Sequence, residues 1–131
     1  MNGATDSTSI TVGLENWEMR VIRAALREYG GGSAASVRRL SGHDRSTRDS
    51  PWGTVDSAVK EGANELTLSE GEWRLVYDSI NATIYALGPN ELETVTGYNL
   101  LEMLQANLTI ASSVWGAYDA KWADHYRIER V

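Results

Sequence analysis

The 131-residue sequence contains no cysteine, no phenylalanine and only two histidines and two prolines. Without cysteine, the chain has no disulfide framework, no thiolate zinc site, no iron–sulfur cluster and no cysteine nucleophile. It also has no apolar run close to the roughly 20 residues of a membrane-spanning helix. The N-terminal residues combine neither a basic segment nor an apolar run, so we expect no secretory signal and a cytoplasmic location.

Acidic side chains outnumber basic ones by 18 to 12, and the excess lies in the second half of the chain. Residues 1–60 carry eight basic and seven acidic side chains, whereas residues 61–131 carry four basic and eleven acidic ones. Such a field repels nucleic-acid phosphates and attracts basic protein surfaces, so we predict a protein partner with a basic surface rather than nucleic acid. The alternative is that the two halves of the chain complement one another in charge, either inside one fold or between two chains.

A weak internal repeat relates residues 10–42 to residues 66–97 at an offset of 56. In both copies an apolar–Thr–apolar segment precedes a tryptophan and a helical pattern that ends at glycine. The alternation predicts two short strands, and we expect them to pair because a lone strand leaves its backbone groups unpaired. Ser69 and Glu72 have the spacing of a capping box, which predicts a helix start near residue 70.

These patterns predict a mainly α (α+β) fold with two strand–helix units, a small two-stranded β element and a long C-terminal amphipathic helix. Residues 1–9 are predicted to form a flexible tail, and residues 10–131 a single globular domain. Helices are predicted near residues 14–29, 34–40, 70–87 and 90–96. Residues 42–54 are rich in turn formers without apolar periodicity, so we predict a mobile surface loop there.

The strongest pattern is an apolar stripe in the C-terminal third, which predicts a long helix over residues 99–124. Asn99 is its predicted N-cap, and a break near Gly116 is an open alternative. Because a stripe this wide needs a partner to cover it, we predict a homodimer through this helix. The predicted seam residues are Leu101, Leu104, Leu108, Trp115, Tyr118 and Trp122.

No motif supports catalysis. The sequence contains no nucleophile elbow, no phosphate-binding loop and no metal-ligand spacing, so we predict no catalytic residue, cofactor or metal site. His43 lies in the predicted mobile loop and is predicted to be a solvated loop histidine, since the side chain of the adjacent Asp44 projects in a different direction. The sequence therefore favours a protein without enzymatic activity, and an enzyme is an open alternative that no motif supports.

The leading function is a small acidic protein-binding or regulatory module, which includes inhibition of a nucleic-acid-processing protein by occupying its basic surface. The residues assigned to this contact are Glu70, Glu72, Glu91, Glu93 and Trp52. For Trp52, an exposed binding anchor and a side chain packed back onto the domain are equally open.

Two other functions remain open. The first is a small-ligand-binding homo-oligomer with a pocket lined by tryptophan and tyrosine. The second is a nucleic-acid binder in which Arg20, Arg23 and Arg27, on one side of the first helix, contact phosphate groups. The alternative for this arginine stripe is a solvated helix face paired with glutamates of the second half.

Overall fold

The computed structural model describes residues 9–30, 34–43 and 45–116, which form two strands and five helices. In chain order these are β1 (Ser9–Gly13), α1 (Asn16–Arg27), α2 (Ala34–Ser41), α3 (Arg45–Glu61), β2 (Glu65–Ser69), α4 (Glu70–Thr96) and α5 (Leu100–Trp115). A short 3₁₀ helix, Glu28–Gly30, follows α1. The predicted mainly α fold with a two-stranded β element is confirmed.

The two strands pair antiparallel, with Thr11 opposite Thr67 at the centre of the register. The two threonine hydroxyls lie 2.7 Å apart on the exposed face. On the other face Val12 and Leu68 are buried, as the alternating pattern predicts. Ser9 already belongs to β1, so the predicted tail is one residue too long; residues 1–8 lie outside the described residues.

Helices α4 and α5 each begin with a first turn that is closed by a glutamate. In α4 the Glu72 backbone N–H donates to Ser69 Oγ (3.1 Å) and the Ser69 N–H donates to Glu72 Oε1 (2.9 Å), which confirms the predicted capping box. In α5 the Glu102 N–H donates to the side chain of Asn99 at 2.9 Å, which confirms Asn99 as the N-cap.

Helix α4 is kinked at Gly88, whose backbone is non-helical with φ +74° and ψ 164°. Pro89 follows and cannot continue the hydrogen-bond ladder, so α4 consists of two helical stretches, residues 70–87 and 89–96. These stretches match the two predicted helices. Gly97, with φ +88°, ends the second stretch in the left-handed conformation that favours glycine.

The loop predicted over residues 42–54 is wrong from Arg45 onwards, because α3 begins there. The inward face of α3 contains Arg48, Pro51, Val55 and Ala58, all buried and spaced by three or four residues. An arginine and a proline hold two of these positions, so the segment lacks the apolar periodicity that predicts a helix.

The helix predicted over residues 99–124 is only partly present. Helix α5 ends at Trp115, where Gly116 adopts φ +84° and caps it. The break near Gly116 is therefore confirmed, whereas a continuous helix through this residue is wrong. Residues 117–131 lie outside the described residues.

The core lies around α1, which packs against α3, α4 and α5, while α2 packs against α4. The largest side chains with almost no exposure include Trp73, Tyr29, Met19, Ile22 and Leu26. This packing joins both halves of the described chain in one hydrophobic cluster. Across residues 9–30, 34–43 and 45–116, no helix has the length and apolarity needed to cross a membrane.

Candidate functional site

The four glutamates predicted to contact a partner fall into two groups at different ends of α4. Glu70 accepts a hydrogen bond from the Trp115 indole N–H at 3.1 Å, and Glu72 accepts one from the Ser50 hydroxyl at 2.6 Å. Glu91 and Glu93 are exposed beyond the kink, and their side chains make no hydrogen bond or ion pair with any described residue. The first stretch of α4 is about 27 Å long at 1.5 Å per residue, so the four do not form one cluster.

The charge asymmetry is not neutralised inside the described fold. Residues 61–116 contain eight carboxylates and one arginine, and that Arg74 lies over the Trp115 ring at 4.6 Å. Among the described ion pairs, only His43–Asp78 joins the two halves. The other three, Arg23–Asp56, Lys60–Asp56 and Arg48–Asp49, lie within residues 1–60. Five of the eight described carboxylates are exposed: Glu61, Glu65, Glu70, Glu91 and Glu93.

One of the three arginines in the predicted stripe forms an ion pair, and the other two are exposed. Arg23 is half-buried and its Nη1 lies 3.2 Å from Asp56 Oδ1 on α3. Arg20 and Arg27 are exposed. The prediction that this stripe pairs with glutamates of the second half is therefore wrong for Arg23, whose partner is an aspartate of the same half.

Trp52 packs back onto the domain, which is one of its two predicted roles. It is half-buried against the hydrophobic core. The Arg48 guanidinium lies over its ring at 5.2 Å from the centroid, and Arg48 Nη1 donates to the Leu26 carbonyl at 3.3 Å. A cation over an aromatic face stabilises the contact, so Trp52 is not a free anchor.

The predicted dimer seam does not form one exposed stripe. Leu101 is 61% exposed, but Leu104 is 3% exposed because α5 packs against both α1 and α4. Leu108 is half-buried, and the Trp115 ring meets Tyr77 edge-on with centroids 5.6 Å apart. Tyr118 and Trp122 lie outside the described residues. A homodimer stays a prediction, and Leu104 is not available to it.

A polar cluster that the sequence did not predict joins α2, the 3₁₀ helix and α4. His43 Nε2 lies 3.0 Å from Asp78 Oδ2 on α4. The prediction of a solvated loop histidine is therefore wrong. In the same cluster, the Tyr29 hydroxyl donates to Ser41 Oγ at 2.8 Å and also lies 2.8 Å from Ser79 Oγ. The Ser41 hydroxyl contacts the backbone of His43 rather than its ring. This geometry suits a structural connection rather than an activated nucleophile.

Two other carboxyl groups have shifted pKa values. Burial raises the pKa of Glu28, which is 4% exposed, and the neighbouring Arg27 charge partly offsets that shift. Asp56 is the opposite case, since hydrogen bonds from Lys60 and then from Arg23 lower its pKa.

An open cleft of about 500 Å³ lies between the β1–α1 connection, the turn before β2 and α5. Its walls are formed by Gly13, Leu14, Glu15, Glu18, Asn64, Gln105 and Thr109. Glu18 is 6% exposed; its Oε1 accepts from the Glu15 N–H at 2.9 Å and its Oε2 accepts from the Thr109 hydroxyl at 2.9 Å. The lining is rich in oxygen acceptors and carries negative charge, which favours a cationic group.

The sequence did not predict this cleft. Glu15 and Glu18 have ordinary helix-start spacing, and the other wall comes from Thr109, 91 residues away from Glu18. Among the described residues, no group of three or more histidines and carboxylates is arranged to hold a metal ion. Two fixed carboxylates with amide and hydroxyl groups are instead suited to hydrogen bonding with an organic cation.

Comparison with other proteins adds no assignment. No known protein family, curated protein or solved structure matches the chain. The geometry and charge described above are therefore the basis on which a function can be proposed.

Proposed function

We propose that the protein is a small acidic binding module that acts by occupying a basic surface of a partner protein. The observation that supports this proposal is the excess of negative charge in residues 61–116, which contain eight carboxylates and one arginine. That arginine, Arg74, lies over an aromatic ring rather than beside a carboxylate. A field of this kind accelerates encounter with a basic surface and disfavours acidic partners.

Glu91 and Glu93 are the clearest contact residues for such a partner. Both are exposed, and neither side chain contributes a hydrogen bond or an ion pair to the described fold. Glu70 and Glu72 are poorer choices for mutation, because each accepts a hydrogen bond that holds α4 to another helix. If the partner surface normally binds phosphates, these carboxylates compete with nucleic acid for it, and the module acts as an inhibitor.

The test is capture of proteins from a nuclease-treated lysate by the immobilised chain over a series of salt concentrations. The variant is Glu91→Gln with Glu93→Gln. The control is Thr54→Lys with Ser57→Lys, which makes the same change in net charge at exposed positions of α3. Exposed charge pairs contribute up to about 1 kcal/mol each, so the Kd for a captured protein should rise about three- to tenfold in the variant and less in the control.

Two results would contradict the proposal. One is a set of captured proteins that disappears after nuclease treatment, since nucleic acid would then mediate the contact. The other is equal retention of the same proteins by the variant and the control at every salt concentration, because the contact would then not involve Glu91 and Glu93.

A further inference from the structure

We propose that the cleft between the start of α1 and α5 binds one cationic side chain of the partner, either the guanidinium of an arginine or the ammonium of a lysine. This inference rests on the proposed function, since it identifies where a basic partner inserts a side chain. It differs from a general attraction between charged surfaces because it places the contact at a defined cavity.

The cleft walls are held together by direct hydrogen bonds. The Leu14 N–H donates to the Asn64 carbonyl at 3.0 Å, which joins the β1–α1 connection to the turn before β2. The Thr109 hydroxyl donates to Glu18 at 2.9 Å, which joins α5 to α1. A volume of about 500 Å³ lies within the usual range of roughly 300–1,000 Å³ for ligand sites. The shape of the cleft therefore does not depend on a ligand.

Glu18 supplies a charge that is fixed in position. Both of its oxygens accept hydrogen bonds, but the donors are the neutral Glu15 N–H and Thr109 hydroxyl, so the negative charge is oriented without being neutralised. Each carboxylate oxygen has a second lone pair for another donor. None of the described residues that line the cleft is cationic. An anionic ligand is therefore repelled, and a cation gains a fixed counter-charge.

The remaining lining groups suit several donors at once. Glu15, Asn64 and Gln105 are exposed lining residues, and each of the two amides has an oxygen that can accept a hydrogen bond. A guanidinium carries five N–H donors in a plane and an ammonium carries three, so either can contact more than one wall. The cleft is open to solvent on its remaining side, which allows the rest of a partner chain to lie outside.

Trp17 provides a local probe of occupancy, because its indole N–H donates to Glu15 Oε1 at 3.2 Å. The experiment titrates the full chain with a hexa-arginine peptide, or with a hexa-citrulline peptide as the uncharged control, and follows indole N–H resonances by NMR. Trp17→Phe assigns the Trp17 signal among the five tryptophans. We expect a saturable shift of that signal with hexa-arginine and none with hexa-citrulline.

Glu18→Gln keeps the size of the side chain and removes its charge, and it should weaken hexa-arginine binding about tenfold or more. Glu61→Gln makes the same change in net charge at an exposed position outside the cleft and should change the affinity less than about twofold. If Glu18→Gln fails to fold, Glu15→Gln at the exposed rim serves as the second variant and should also weaken binding.

Equal weakening by Glu18→Gln and Glu61→Gln, or a Trp17 signal that does not move when the peptide binds, would overturn the cleft assignment. That outcome leaves the proposed function standing, because the acidic surface would still bind the peptide. Complete absence of peptide binding at low salt would overturn both.

Discussion

Replacement of Tyr29 by phenylalanine removes one buried hydroxyl and keeps the ring in the core. Tyr29 is 1% exposed, and its hydroxyl lies 2.8 Å from both Ser41 Oγ and Ser79 Oγ. This hydroxyl therefore joins the 3₁₀ helix to α2 and α4 at the same point. We expect Tyr29→Phe to weaken the packing of both helices without creating a cavity in the apolar core.

The size of the effect follows from what the two serines retain. Ser79 Oγ keeps its hydrogen bond to the Leu75 carbonyl at 2.6 Å, and Ser41 Oγ keeps the His43 N–H at 3.2 Å. The Tyr29 hydrogen is donated to Ser41 and the Ser79 hydrogen to Leu75, so the loss is that of one neutral hydrogen bond, about 1 kcal/mol. For a domain of this length, that loss lowers the Tm by roughly 3–5 °C.

The assay is urea denaturation followed by tryptophan fluorescence, with the slope m compared between variants to confirm that two-state unfolding is retained. Tyr85→Phe is the matched control, since Tyr85 is 64% exposed and should change the free energy of unfolding by less than about 0.5 kcal/mol. A double-mutant cycle between Tyr29→Phe and Ser41→Ala should give a coupling energy of about 1 kcal/mol, since Tyr29 donates its hydrogen to Ser41. Equal losses for the two tyrosines, or a coupling energy near zero, would refute the reasoning.

Three further predictions concern charge and backbone. Burial raises the pKa of Glu28, so its ionised form destabilises the fold at neutral pH and Glu28→Gln should stabilise the fold there. The gain should vanish as the pH falls through the raised pKa towards 4.5, as measured by the midpoint of urea denaturation at a series of pH values. Gly97→Ala, at φ +88°, should destabilise by about 1–2 kcal/mol, whereas Gly71→Ala in the first turn of α4 should be neutral or stabilising in thermal denaturation. The hydrogen bond from Lys60 lowers the pKa of Asp56, so ionised Asp56 stabilises the fold at pH values above 3.8. This stabilisation is lost as the pH falls through the lowered pKa. Asp56→Asn should remove that part of the acid dependence of the urea midpoint.

The features that could be predicted from the sequence depend on short-range patterns. The capping box of Ser69 and Glu72 and the N-cap at Asn99 are set by residues three apart, and the strand pair follows from alternation over five residues. The kink in α4 follows from the adjacent Gly88 and Pro89. In each case the physical cause lies within a few residues of its effect.

The features that could not be predicted depend on contacts between distant residues. Helix α3 is stabilised by packing against α1, and its inward face uses the stem of Arg48 where an apolar residue would have signalled a helix. The contact between His43 and Asp78 spans 35 residues, and the cleft exists only because α5 crosses the start of α1. The exposed position of Leu101 beside the buried Leu104 likewise depends on which helices α5 meets.

The antiparallel pairing of β1 with β2 also determines the order in which the chain can acquire its structure during synthesis. Thr11 is made 56 residues before the Thr67 that it faces, and the Ile10 carbonyl accepts from the Trp73 indole N–H, a further six residues later. Until those residues emerge from the ribosome, the first strand has an unpaired edge and an uncovered apolar face, which is a template for association with other chains. A nascent chain that stops before β2 is therefore an aggregation-prone fragment rather than a smaller working domain.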